Sequence, residues 1–128
     1  MLQRIKALLL DKAIYFAILI TIIIALLSLL NLNNVNIPIG SSDKTGHTIA
    51  YFSLMISWLY TFVKKQDFNK LARYSMLGCF IYGIVIEVLQ GTITSYRTAS
   101  YLDVLANSTG IVLAILAFHL FEKKIRLI

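Results

Sequence analysis

The sequence predicts an all-α, polytopic membrane protein of four transmembrane helices with both termini in the cytoplasm. Three observations predict it. The 128 residues are 59% hydrophobic and only 14% charged, with a mean hydropathy of +0.79, well to the apolar side of globular usage. Four runs are long enough to cross a hydrocarbon core about 30 Å thick at about 1.5 Å of helix rise per residue. The twelve Lys and Arg residues stand in short clusters between those runs. That pattern sets topology, whereas phosphate reading needs charge along one face, so no nucleic-acid partner is expected despite a net charge of +6.

The first span, about 13–32, follows Arg4, Lys6 and Lys12. Its apolar core is too long for a cleaved secretory signal and no small-x-small site follows Leu30, so it is expected to stay as an anchor. Before it, Leu2, Ile5, Leu8 and Leu9 fall near one face, the pattern of a short helix lying in the interface. The remaining spans are expected at about 47–63, 74–93 and 102–121, making residues 1–128 one domain in the plasma membrane. Cys79, the single cysteine, lies inside an apolar run and reads as a packing residue.

Short loops rich in Lys and Arg stay in the cytoplasm. The N-terminal segment, the connection holding Lys64, Lys65, Lys70 and Arg73, and the C-terminal segment with Lys123, Lys124 and Arg126 together carry ten of the twelve, against Lys44 and Arg97 in the other two connections. Both termini and the middle connection are therefore expected inside. Trp58, Tyr60 and Tyr74 then fall towards the inner interface, and Tyr96 and Tyr101 towards the outer one.

In this frame the polar exceptions gather at one face. Asp43, His47 and Tyr51 recur at i, i+4 and i+8 at the start of span two, with Lys44 beside them. Glu87 and Gln90 occupy the last turns of span three, and Asp103, Asn107 and Gly110 the first turns of span four, with Arg97 between. An ionisable group in a spanning helix costs at least a few kcal/mol unless paired or hydrated, so Glu87 is expected to meet Arg97, His47, Asn107 or Gln90. His119, towards the inner end of span four, reads as an interfacial histidine too far away to join them. The row Ala106, Gly110, Ala114 and the shorter row Cys79, Gly83 permit close backbone approach. They suggest spans three and four side by side, with Gly110 facing span three.

The runs DKTGHTIAY (43–51), IEVLQ (86–90), Arg97 and LDVLANSTG (102–110) make the sequence resemble the VanZ-like family of small bacterial membrane proteins. The family takes its name from a member linked to resistance to the glycopeptide teicoplanin. The resemblance implies that Asp43, Lys44, His47, Tyr51, Glu87, Gln90, Arg97, Asp103, Asn107 and Gly110 are its characteristic residues here. Thr45 and Gly46 stand where bulkier apolar residues are expected, and Ala114 where a second glycine is frequent.

Two functional readings follow. In the first, the outer-face site binds or modifies a cell-envelope component such as a lipid-linked headgroup, a peptide precursor or a glycopeptide. His47, Glu87 and Asp103 are its candidates for proton exchange, and Asp43, Lys44, Tyr51, Gln90, Arg97 and Asn107 its candidate ligand contacts. Ser41 and Ser42 read as helix caps, so no nucleophile is evident and no reaction is assigned. In the second, a non-enzymatic polar network locks the helices or recognises a partner membrane protein. Neither a cofactor nor a metal is expected, since one clustered histidine and no cysteine ligand make a poor metal set.

Overall fold

A computed structural model describes residues 1–30, 43–94 and 99–127. The chain is all-α: α1 (Leu2–Leu29), α2 (Asp43–Phe62), α3 (Phe68–Ile93) and α4 (Tyr101–Arg126). The elements follow the four apolar runs, extended at their ends. The helix period continues unbroken from Leu2 into the first span, so residues 2–12 are the opening turns of α1 and not a separate interfacial helix. At 28 residues α1 is about 42 Å long, more than a hydrocarbon core requires.

Three helices, α1, α3 and α4, are long and apolar enough to cross a membrane. Much of their apolar surface faces outward. Phe16, Leu19, Ile22, Leu26 and Leu27 on α1, and Leu105, Leu113, Leu116 and Leu120 on α4, are all exposed. Apolar side chains on this scale find a suitable solvent only in lipid. The protein is therefore a membrane protein. α2 is 20 residues long, and Thr45, His47, Thr48, Ser53 and Ser57 dilute its apolar character.

α2 and α3 each touch the other three helices, while α1 and α4 occupy opposite corners and do not meet. Between helices in lipid, apolar burial supplies little drive, and close backbone packing and interhelical hydrogen bonds replace it. The largest interface is α2 with α4. A Cβ on Gly110 would press against Thr48 O and lie 2.9 Å from Phe52 N, both backbone atoms of α2. Gly110 therefore faces α2, correcting the expectation that it faces span three. The reason is that Asp103 and Asn107, two turns and one turn earlier, both find their side-chain partners on α2. α3 and α4 do touch, as their short connection suggests, but over a smaller area.

The interior below the polar end is apolar: Leu54, Met55, Leu59, Ile111, Ala114 and Phe118 are all buried. Among the described residues, α3 is joined to α1 by the hydrogen bonds from Tyr82 Oη to Thr21 O (2.5 Å) and from Gln90 Nε2 to Ser28 O (2.7 Å). Trp58, expected as an interfacial ring, instead turns its indole N–H into the bundle and donates to Thr21 Oγ1 at 3.2 Å. His119 packs its ring on Phe68, centroids 4.8 Å apart.

Candidate functional site

α2 and α4 begin, and α3 ends, at the same end of the bundle, which brings the polar stripes together. The helical spacing of Lys44, His47, Thr48 and Tyr51 puts them on the side of α2 that meets α4 and α3. The Lys44 ammonium is paired with Asp103 Oδ1. The Asp103 side chain is 8% exposed and that of Lys44 is 43% exposed, so the cation forms the rim and the carboxylate the floor. One turn further in, His47 Nδ1 is 2.9 Å from Asn107 Oδ1. In the Nδ1–H tautomer His47 donates this bond, which turns its other ring nitrogen towards Asp103. Nε2 is 3.9 Å from Asp103 Oδ2, close enough for an ion pair when the ring is protonated. Thr48 completes the seam, its hydroxyl shared between Lys44 O at 2.9 Å and Ala106 O at 3.3 Å.

Glu87 approaches from α3 and is 4% exposed. Its Oε1 accepts the backbone N–H of Ser100, the N-cap residue of α4, at 2.9 Å. Its Oε2 is buried and has no donor among the described residues. The Asp103 carboxyl is close enough to Glu87 to interact with it electrostatically. Both groups are acceptors, so they attract each other only when a proton is shared between them. His47 is also close enough to interact with Glu87 electrostatically. The arrangement therefore brings two carboxyls and an imidazole to the same end of the bundle, with a cation at the rim. It can take up, hold and hand on a proton, and it can orient an anionic group at Lys44.

The other sequence-designated residues are placed differently. Gln90 is 1% exposed and spends its amide N–H on Ser28 O of α1, away from Glu87. Tyr51 is 2% exposed, its ring packed where Gly83 leaves room: a Cβ on Gly83 would lie 3.1 Å from Tyr51 Cε1 and 3.2 Å from Asn107 Nδ2. The Tyr51 hydroxyl is buried with no partner among the described residues. Arg97, Ser41, Ser42 and the side chain of Asp43 lie outside the described residues. Among the described residues the hydrogen bond to Glu87 comes from the Ser100 backbone amide and none comes from His47, Asn107 or Gln90. Ser100 left no signal in the sequence, because a backbone donor is the same in every residue but proline. Among the described residues no three His, Cys, Asp or Glu side chains are grouped so as to hold a metal ion.

The sequence model of the VanZ/LLP1 family matches residues 12–122, nearly the whole chain and all of this site. The chain belongs to the VanZ/LLP1 family. The match covers every motif that carried the resemblance, from Asp43 to Gly110. No curated protein and no solved structure matches this VanZ/LLP1 chain.

A second polar group lies at the opposite end of this VanZ/LLP1 bundle. Glu122, buried on α4, is paired with Arg126 one turn later, Oε2 to Nε 2.5 Å. Arg126 Nη2 also donates to the backbone carbonyl of Gln66, in the turn between α2 and α3, at 2.8 Å. The i, i+4 spacing of Glu122 and Arg126 puts them on one face of α4, and the fold buries Glu122 there.

Proposed function

We propose that the chain crosses the membrane four times with both termini in the cytoplasm, and that its polar site opens at the extracytoplasmic face to bind or modify a cell-envelope component. Ten of the twelve basic residues belong to the end opposite the site, which supports this orientation. α2 then spans as the inner helix of the bundle, its polar turns covered by α3 and α4. The observation that carries the reading is the meeting of Lys44, His47, Glu87, Asp103 and Asn107 from three helices, where the buried Glu87 Oε2 has no donor among the described residues. Ionisable groups in a membrane are costly unless paired or hydrated, and the gathering of four of them at one end of the bundle supports a functional site there.

The ligand class that suits this end is a lipid-linked headgroup or peptide carrying a phosphate or carboxylate, met by Lys44 at the rim. The resemblance to proteins linked to teicoplanin resistance supports a glycopeptide-related target at the same face. A second reading, a non-enzymatic lock, is favoured by the Thr48 bond to Ala106 O and the Glu87 bond to Ser100 N, both of which join helix ends.

Glu87→Gln separates the two readings, because Gln keeps the shape and can still accept the Ser100 N–H but loses proton exchange. The test is native mass spectrometry of protein purified from bacterial envelopes, scored for a retained polyprenyl phosphate or peptide-bearing lipid. Under the binding reading, wild type retains the ligand and folded Glu87→Gln releases it. Absence of a ligand from both proteins, with Glu87→Gln folded as stably as wild type, would leave the lock as the better account.

A further inference from the structure

A cleft of about 380 Å³ opens between α2 and α3 at the end of the bundle away from the polar site, within the size range of ligand pockets. Leu54, Trp58 and Phe62 of α2 form one wall, and Leu71, Gly78 and Cys79 of α3 the other. Thr21 closes the top, where its hydroxyl accepts from Trp58 and its carbonyl from Tyr82. Those bonds use up the polar atoms of the ceiling, so an occupant meets hydrocarbon there. Gly78 has nothing within 4 Å of the position a Cβ would take, which makes it the open side of the groove.

The mouth is of different character. The turn and the start of α3 carry Lys64, Lys65, Lys70 and Arg73 against the single acid Asp67, and all five are exposed. Basic residues in this connection are expected from topology alone. What ties them to the cleft is Lys65, whose ammonium stands 5.9 Å from the centroid of Phe62, a ring of the cleft wall. Gln66 also lines the cleft, and its Oε1 is buried with no donor among the described residues. The site thus asks for three things at once: an aliphatic chain in the groove, negative charge at the mouth and a hydrogen-bond donor at Gln66.

We infer that this cleft is a binding site for one anionic phospholipid with a hydroxylated headgroup, of the phosphatidylglycerol type. Its acyl chain lies along Trp58, Phe62 and Gly78, its phosphate faces Lys64 and Lys65, and a headgroup hydroxyl donates to Gln66 Oε1. A zwitterionic lipid of the same chain length fills the groove but lacks the net charge that the mouth attracts.

Trp58 is the only tryptophan of the chain and lies in the cleft wall, so its fluorescence reads occupancy. The full chain is reconstituted in phosphatidylcholine vesicles doped with phosphatidylglycerol or phosphatidylcholine brominated on the acyl chain, and quenching is followed against bromolipid fraction. Brominated phosphatidylglycerol is expected to reach half-quenching at a roughly tenfold lower fraction than brominated phosphatidylcholine. The exposed double change Lys64→Gln with Lys65→Gln should bring the two curves together, Gln66→Leu should narrow the gap, and Gly78→Leu should weaken quenching by both lipids. Identical curves for the two lipids in wild type would overturn the inference. So would a Trp58 shielded from both, with Gly78→Cys forming a disulfide-linked dimer, since a second copy would then fill the cleft.

Discussion

His47 and Asn107 are 60 positions apart and meet at 2.9 Å, nitrogen to oxygen, across the interface of α2 and α4. This contact aligns the imidazole with Asp103 on one side and leaves the Asn107 amide nitrogen over Gly83 of α3 on the other. A single pair of side chains thereby registers three helices. Interhelical hydrogen bonds in membranes average about 0.6 kcal/mol, with a maximum near 1.7. A double-mutant cycle of His47→Ala and Asn107→Ala, followed by unfolding in mixed micelles, should give a coupling of about 1 kcal/mol. Strict additivity would mean that the two side chains do not act together.

Gly110 is held against the α2 backbone, so even one added carbon must push Thr48 and Phe52 away. Gly110→Leu is expected to destabilise by about 3 kcal/mol or more, at the upper end of overpacking costs. Val112→Leu, at an exposed position, should change stability by less than about 0.5 kcal/mol. The yield of monodisperse protein in detergent and its melting temperature provide the comparison.

Gln90 is hydrogen-bonded to α1 and not to the polar site, so its loss is expected to show in stability and not in ligand retention. Gln90→Leu should cost about 0.5–1.5 kcal/mol while leaving any ligand recovered with wild type in place. Loss of ligand at unchanged stability would make Gln90 a ligand contact after all.

At the other end, Glu122 depends on Arg126 for its charge partner. Arg126→Ala strands a buried carboxylate and frees the Gln66 carbonyl, and the cost of breaking such a pair is about 3 kcal/mol. Replacing both as Glu122→Leu with Arg126→Leu should recover much of that loss, read as the midpoint of thermal unfolding. Failure of the double variant to recover would show that the bond to the turn matters more than the ion pair.

The orientation is open to a direct test in a Cys79→Ala background, since Cys79 is the only native thiol. Gly46→Cys has open space around it and should react with a membrane-impermeant maleimide on intact cells. Lys65→Cys should react only after permeabilisation. The reverse pattern would invert the protein and place the polar site in the cytoplasm.

Hydropathy and the helix period determined that the chain is helical, where its four helices run, and that it lives in a membrane, because each depends on neighbours within a few turns of the same segment. They also determined that Lys44, His47, Glu87, Asp103 and Asn107 would gather at one end, since antiparallel helices joined by short connections return polar stripes to the same level. Which helix each stripe faces was decided by tertiary structure. The small row around Gly110 is compatible with close packing on either neighbour, and the choice of α2 rests on Thr48, His47 and Lys44 lying opposite it. Glu87 and Gln90 stand three residues apart on one helix, yet one meets the start of α4 and the other α1, a division set by the about 60° between them around the helix axis and by what stands on each side. The cleft beside Trp58 was likewise unreadable in sequence, because an open space is defined by the walls of two helices at once and by no residue of its own.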